Sequence, residues 1–101
     1  MSFRVIFRAE AEAELNDAIV WYNLQTDGAG RRFSAEIREI ISEAAKNPIR
    51  FGFAGPTTQK IKVLNWPYAI YFTLVKESSL FIVVSIFHGS RNPADLRRRL
   101  K

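Results

Sequence analysis

Residues 68–88 read YAIYFTLVKESSLFIVVSIFH, and this stretch predicts the centre of the fold. Its first part alternates, with Ile70, Phe72 and Leu74 on one face and Tyr71 and Thr73 on the other, as expected of a half-buried strand. The second part, residues 80–88, is apolar on both faces, which is typical of a central strand. Because only a short polar turn separates them, the two strands are predicted to be antiparallel.

The segment before this pair predicts a third strand. Residues 59–64 place Ile61 and Val63 on one face and Lys60 and Lys62 on the other, and Asn65-Trp66-Pro67 ends the run. Residues 50–58 contain glycine and proline and have no sustained period, so they are predicted to be a surface loop. The three strands therefore form an antiparallel meander.

The N-terminal half predicts one strand and two helices. Apolar residues alternate over residues 3–8, and from Ala9 they recur at helical spacing until residues 27–30, Asp-Gly-Ala-Gly, end the first helix. A second amphipathic helix is predicted over residues 31–46, because Asn47-Pro48 disfavours its continuation. Near the C-terminus, Asn92 and Pro93 are suited to begin a short helix.

The predicted order is β-α-α-β-β-β-α, an α+β fold with a single domain over residues 1–101. One face of an antiparallel sheet is covered by the N-terminal helical hairpin, since the apolar strand faces need burial. The other face is partly open and carries Lys60 and Lys62, with Arg91 and the terminal arginines near the end of the central strand. A register slip of one residue would reverse this assignment.

Composition excludes several classes of function. The chain has no cysteine, which excludes disulfides, thiolate zinc sites and a cysteine nucleophile, and its one histidine with scattered carboxylates does not make a metal ligand set. We therefore expect no metal and no cofactor. No apolar run approaches a membrane span and no secretory signal begins the chain, so a cytoplasmic protein without a membrane partner is predicted.

The net charge of +5 is unevenly distributed. Residues up to Ala45 carry more acidic than basic side chains, whereas the chain from Lys46 onward is strongly basic. This asymmetry indicates either an anionic partner, such as nucleic acid or an acidic protein surface, or a solvated basic face.

Five segments together carry a resemblance to a known family. They are Ala18-Ile19-Val20-Trp21-Tyr22, Gly30-Arg31-Arg32-Phe33, Asn47-Pro48, Trp66-Pro67-Tyr68-Ala69-Ile70-Tyr71 and Phe87-His88-Gly89-Ser90-Arg91-Asn92-Pro93. In this order the segments resemble the RelE/ParE toxin superfamily, and the final segment resembles its ParE branch. The resemblance implies the toxin of a type II toxin-antitoxin system of the plasmid stabilisation type. Its expected partner is a cognate antitoxin, ParD-like or similar.

The resemblance implies two different activities. ParE-like members inhibit DNA gyrase by binding, whereas RelE-like members are ribosome-dependent endoribonucleases that cut messenger RNA with a basic cluster on the sheet. Lys60 and Lys62 match that cluster, but residues 68–71 supply no arginine where the nucleases usually have one. Gyrase inhibition without turnover is the preferred interpretation. A nuclease acting on ribosome-bound messenger RNA, and an inactive interaction module, remain alternatives.

Each activity predicts its own residues. A nuclease would use Lys60, Lys62 and Arg91 at the phosphate and His88 as acid or base, since histidine is the only side chain whose ordinary pKa lies near neutrality. A structural role for His88 is the preferred interpretation, because alternation places it at the end of the stripe formed by Leu80, Ile82, Val84 and Ile86 rather than facing the lysines. The predicted target-binding residues are Lys60, Lys62, Arg91, Arg97, Arg98 and Arg99.

The antitoxin surface is predicted to include Trp21, Leu96 and Leu100. Trp21 lies off the apolar stripe of the first helix, where it can belong either to the core or to a groove that takes an amphipathic segment. The terminal arginines can likewise be a solvated helix end stabilised by the helix dipole. A homodimer and a hetero-oligomer with the antitoxin both remain open.

Overall fold

A computed structural model describes residues 2–99 and contains seven main elements. In chain order they are β1 (Arg4–Phe7), α1 (Ala9–Gln25), α2 (Ala29–Ala44), β2 (Thr58–Lys62), β3 (Tyr68–Val75), β4 (Leu80–His88) and α3 (Pro93–Arg99). The predicted order of elements is therefore confirmed. None of the described helices is long and apolar enough to cross a membrane.

The four strands form one sheet in the order β1-β4-β3-β2. β2, β3 and β4 form the predicted antiparallel meander, and the apolar β4 lies inside the sheet as expected. β1 differs, because it pairs with β4 in parallel. The sheet is therefore mixed: the long connection through α1 and α2 lets β2 begin in the direction of β1, and the two reversals of the meander return β4 to that direction.

The main core lies between the sheet and the helical hairpin. Phe33 and Ile37 of α2 are fully buried against Phe72 and Phe81 of the sheet. The rings of Phe72 and Phe81 stack with their centroids 4.1 Å apart. The predicted inward face of β3 is thus confirmed, and its burial stabilises the packing of the hairpin on the sheet.

The opposite face of the sheet is covered only in part, by α3. Leu96 of this helix packs with Tyr71, Val84 and Phe87 in a second, smaller cluster of buried residues. Lys60 and Lys62 lie beyond the cover and are exposed, opposite Tyr71 and Ala69 of β3. The predicted register of β2 is therefore correct.

A bulge in β4 alters the pattern predicted for that strand. Tyr71 pairs with Ser85 whereas the next residue, Phe72, pairs with Val83, which leaves Val84 as the extra residue. In consequence Ile86 belongs to the main core while Val84 belongs to the second cluster. The predicted single stripe from Leu80 through Val84 to His88 is wrong, because strict alternation cannot pass through a bulge.

Candidate functional site

The open face of the sheet carries a basic groove of about 530 Å³. Lys60 and Lys62 come from β2, Tyr71 from β3, and Phe87 and Arg91 from the end of β4 and the turn that follows. We call these five residues the basic groove. Three of the four residues predicted for a nuclease site, Lys60, Lys62 and Arg91, are thus brought together.

Aromatic rings form the floor beneath these charges. The Nζ atom of Lys60 lies 5.9 Å from the ring centroid of Tyr71, and the guanidinium carbon of Arg91 lies 4.5 Å from that of Phe87. Such contacts hold a cation over a ring face while its outer side stays available to an anion. The groove is therefore suited to bind an acidic surface or a phosphate backbone.

Arg91 is fixed from behind by Glu14 of α1. Its guanidinium donates to Oε2 of Glu14, and the same oxygen accepts a hydrogen bond of 2.7 Å from Nη1 of Arg99. The other oxygen, Oε1, accepts from the Ser85 hydroxyl at 3.0 Å and from the Ile86 amide at 3.1 Å. The carboxylate of Glu14 thus connects α1 to β4, to α3 and to the turn between β4 and α3.

Sequence reasoning missed the role of Glu14 and treated it only as a charge in the first turns of α1. The signal was its position, because Glu14 lies three residues after buried Ala11 and four before buried Ala18. A carboxylate on the buried stripe of a helix requires partners, and here it is 15% exposed and paired with two arginines.

His88 faces a different part of the molecule from the lysines. Its ring contacts that of Tyr68 at a centroid distance of 4.9 Å on the helix side of the sheet. Its Nδ1 atom accepts a hydrogen bond of 2.9 Å from the Ser90 amide and lies 2.7 Å from the Ser90 hydroxyl. These contacts fix the turn after β4, as the structural interpretation of His88 expects.

Tyr68 does not supply a ready base either. Burial raises the pKa of its phenol above 10.0, the nearby Tyr22 and Glu14 add to the rise, and Arg91 partly opposes it. The phenol therefore stays protonated at neutral pH. Among residues 2–99, no group of histidine and carboxylate side chains is placed to hold a metal ion.

The terminal arginines do not act as one patch. Arg99 is turned inward, where it donates to Glu14 and to the carbonyl of Val84. Arg98 pairs with Asp95 of its own helix, and Arg97 and Arg98 are exposed. Of the six predicted target-binding residues, Arg99 is bonded to Glu14 and Val84, and Arg91 and Arg98 are paired with Glu14 and Asp95. Lys60, Lys62 and Arg97 are exposed and form no ion pair within residues 2–99.

The residues predicted for the antitoxin surface are separated. Trp21 is 56% exposed on α1, on the helix side of the sheet. Leu96 is buried in the second cluster on the opposite face. The two therefore do not form one surface, and Leu100 lies outside the described residues.

The fold defines a class of protein, because solved structures of bacterial toxins match it over most of their length. The chromosomal ParDE system from P. aeruginosa matches with a TM-score of 0.69 at 14% identity, covering 86% of this chain and 96% of that one. RelBE2 from Mycobacterium tuberculosis matches with a TM-score of 0.64 at 14% identity, covering 87% and 92%. The isolated E. coli RelE toxin matches with a TM-score of 0.58 at 15% identity, covering 99% and 100%. The class is that of the RelE/ParE fold.

The family follows from the sequence itself. The family model described as the ParE toxin of the type II toxin-antitoxin system, parDE, matches residues 5–93. The chain therefore belongs to the ParE toxin family and is a type II toxin of the RelE/ParE superfamily. Among curated protein sequences, no match to the chain was found.

Proposed function

We propose that this toxin inhibits DNA gyrase by binding and without turnover. The observation that carries the proposal is the separation of charge from acid-base groups. Lys60 and Lys62 lie in the basic groove, whereas His88 is on the other side of the sheet and bonded to Ser90. A groove of this kind recognises an anionic surface but lacks the arrangement that proton transfer needs.

The chemistry of RNA cleavage makes this distinction concrete. Attack by a 2′-hydroxyl requires a base for that hydroxyl, charge stabilisation at phosphorus and an acid for the leaving oxygen. The lysines and Arg91 offer the charge stabilisation. Tyr71, the aromatic residue beneath Lys60, is buried in the sheet, and the raised pKa of Tyr68 disfavours a phenolate.

A cognate antitoxin, ParD-like or similar, is the proposed partner. The structures that this chain resembles include a ParDE system and a RelBE2 toxin-antitoxin complex. We propose that Trp21 belongs to the surface bound by the antitoxin, because a half-exposed tryptophan on a helix is a typical anchor for a partner. The toxin would act in the cytoplasm, where its targets are.

A ribosome-dependent endoribonuclease of the RelE type is the second candidate. The observation in its favour is that Lys60, Lys62 and Arg91 converge in one groove with aromatic side chains. Stacking of bases on aromatic rings and contacts from cations to phosphates are general features of RNA binding. An inactive interaction module is the remaining possibility.

Purified protein distinguishes the candidates in two parallel reactions. The toxin is added in micromolar excess to a gyrase supercoiling assay and to translating ribosomes programmed with messenger RNA. Gyrase inhibition with intact message is the expected result. Intact supercoiling would overturn the gyrase proposal, and message cleavage would establish the nuclease.

A charge variant with a matched control connects either activity to the groove. Lys60→Gln/Lys62→Gln should reduce inhibition about tenfold, since it removes two positive charges from the proposed contact. Lys46→Gln/Lys76→Gln removes two exposed charges outside the groove and should have little effect. Equal effects of the two double variants would show that the groove is not the contact.

A further inference from the structure

A second cleft, of about 750 Å³, lies on the helix side of the sheet. β1 pairs with β4 only as far as Val83, so the remaining half of β4 is not covered by a neighbouring strand on that side. The cleft opens at this point, between α1 and the end of β4. Its existence therefore follows from the difference in length between the two strands.

One face of α1 forms the acidic wall of this cleft. Glu10, Glu14, Asp17 and Trp21 follow one another at helical spacing along it. Glu14 is already bonded to Arg91 and Arg99, which are the two arginines that line the cleft beside His88. Glu10 and Asp17 are exposed and form no ion pair within residues 2–99.

An aromatic surface adjoins the free carboxylates. Trp21 lies one helical turn after Asp17, and its ring packs edge-on against Tyr22 with the centroids 5.1 Å apart. The indole is therefore held in place while 56% of the residue stays exposed. Leu24, which is 79% exposed, continues the same face one turn further.

A carboxylate beside an indole face is a receptor for a cationic side chain. The carboxylate supplies an opposite charge, and tryptophan is the best aromatic partner for a cation. Arginine matches both, because its planar guanidinium stacks on a ring while its edge donates to a carboxylate. The apolar stem of the side chain and its neighbours would then cover Trp21 and Leu24.

We propose that this acidic cleft binds a basic, apolar-flanked segment of the antitoxin, with an arginine or lysine between Asp17 and Trp21. The proposal rests on the proposed function for the existence of an antitoxin. Charge separates the two sites, since a basic segment is attracted by Glu10 and Asp17 but repelled by the lysines of the basic groove. Arg91 borders both sites, but its charge is paired with Glu14, so antitoxin and target are assigned to opposite faces of the sheet.

The test uses the complete chain and a defined probe, the capped pentapeptide Ala-Leu-Arg-Leu-Ala. Binding is followed by NMR at the two indole N–H groups of the protein. Trp21 reports on the cleft, whereas the Trp66 indole, bonded to Glu36 at 2.7 Å, lies beside the basic groove and reports on that side of the sheet. We expect the Trp21 signal to move on addition of millimolar peptide, and a peptide with glutamine in place of arginine to bind about fivefold more weakly.

Two variants define the contact. Asp17→Asn should weaken binding of the arginine peptide about threefold to fivefold, and Glu12→Gln, on an exposed part of α1 outside the cleft, should leave it unchanged. The proposal is overturned if Trp21 does not respond, if both peptides bind equally, or if the peptide shifts the signals of Lys60 and Lys62 instead.

The outcome of the peptide test does not depend on which target the toxin inhibits. Asp17→Asn should still inhibit gyrase, because Asp17 is not part of the basic groove. Peptide binding without gyrase inhibition would leave the cleft in place and remove the proposed target. Gyrase inhibition without peptide binding would keep gyrase as the proposed target and overturn the proposed role of the cleft.

Discussion

At the scale of single residues, Glu14 is the side chain that supports both the exposed edge of β4 and the position of Arg91. Its carboxylate accepts from the Ile86 amide beyond the last residue that β1 covers, and Arg99 donates to the carbonyl of Val84. Two side chains thereby satisfy backbone groups that a neighbouring strand would otherwise pair. Because the same carboxylate holds Arg91, the shape of the basic groove depends on a residue outside it.

Glu14→Gln should lower the free energy of unfolding by about 2–3 kcal/mol. The amide keeps the size of the side chain, but it leaves Arg91 and Arg99 without an anion. Its N–H₂ group replaces one accepting oxygen and so faces either the two arginines or the Ser85 hydroxyl and the Ile86 amide. Urea unfolding followed by circular dichroism measures the change. Glu12→Gln, an exposed change on the same helix, should stay within about 0.5 kcal/mol of wild type. If both variants lose the same amount, Glu14 does not have the structural role assigned here.

At the scale of elements, the junction of α1 and α2 depends on two glycines for different reasons. Gly28 has a φ of 78°, in the left-handed region that favours glycine. Gly30 lies inside α2, and its amide donates to Oδ1 of Asn23 at 2.9 Å. A Cβ atom on Gly30 would lie 2.3 Å from the carbonyl oxygen of Ile19, so the two helices meet there at backbone distance.

Gly30→Ala should therefore destabilise the protein by about 1–3 kcal/mol, although alanine is the better helix former. The added methyl group forces the helices apart over the buried face that packs on the sheet. Gly52→Ala is the matched control, because nothing lies within 4 Å of a Cβ atom at Gly52. Thermal unfolding of both variants gives the comparison, and a stabilised Gly30→Ala would contradict the close approach.

The same junction shows what the sequence can predict about elements and what it cannot. Periodicity predicted both helices, but α2 begins at Ala29 rather than at residue 31, because the turn needs only Gly28 to change direction. The faces of β2 and β3 follow from alternation, which placed Lys60 and Lys62 correctly. The bulge at Val84 and the parallel pairing of β1 were not predictable, since both depend on contacts between segments distant in the chain.

At the scale of the whole molecule, the sheet separates two surfaces of different chemistry. Lys60 and Lys62 lie on the face opposite the hairpin, whereas Glu10 and Asp17 lie on the hairpin itself. The charge asymmetry along the sequence, acidic before Lys46 and basic after it, thus becomes an asymmetry in space. The sequence predicted the first of these surfaces. The second was not predictable, because it depends on β1 being too short to cover the end of β4.

If gyrase is the target, as proposed above, this arrangement predicts how the rate of association depends on salt. Surface charges act over about 10 Å at 0.1 M ionic strength, so the rate for wild type should fall as salt increases. Lys60→Gln/Lys62→Gln should associate more slowly at low salt and show a flatter dependence, because two of the steering charges are gone. Asp17→Asn, which removes a negative charge from the other face, should not slow association. In the combined triple variant, the change in the logarithm of the association rate should equal the sum of the separate changes. Stopped-flow or biosensor kinetics with purified gyrase supplies the measurement, and a wild-type rate that does not change with salt would show that the basic face does not guide the toxin to its target.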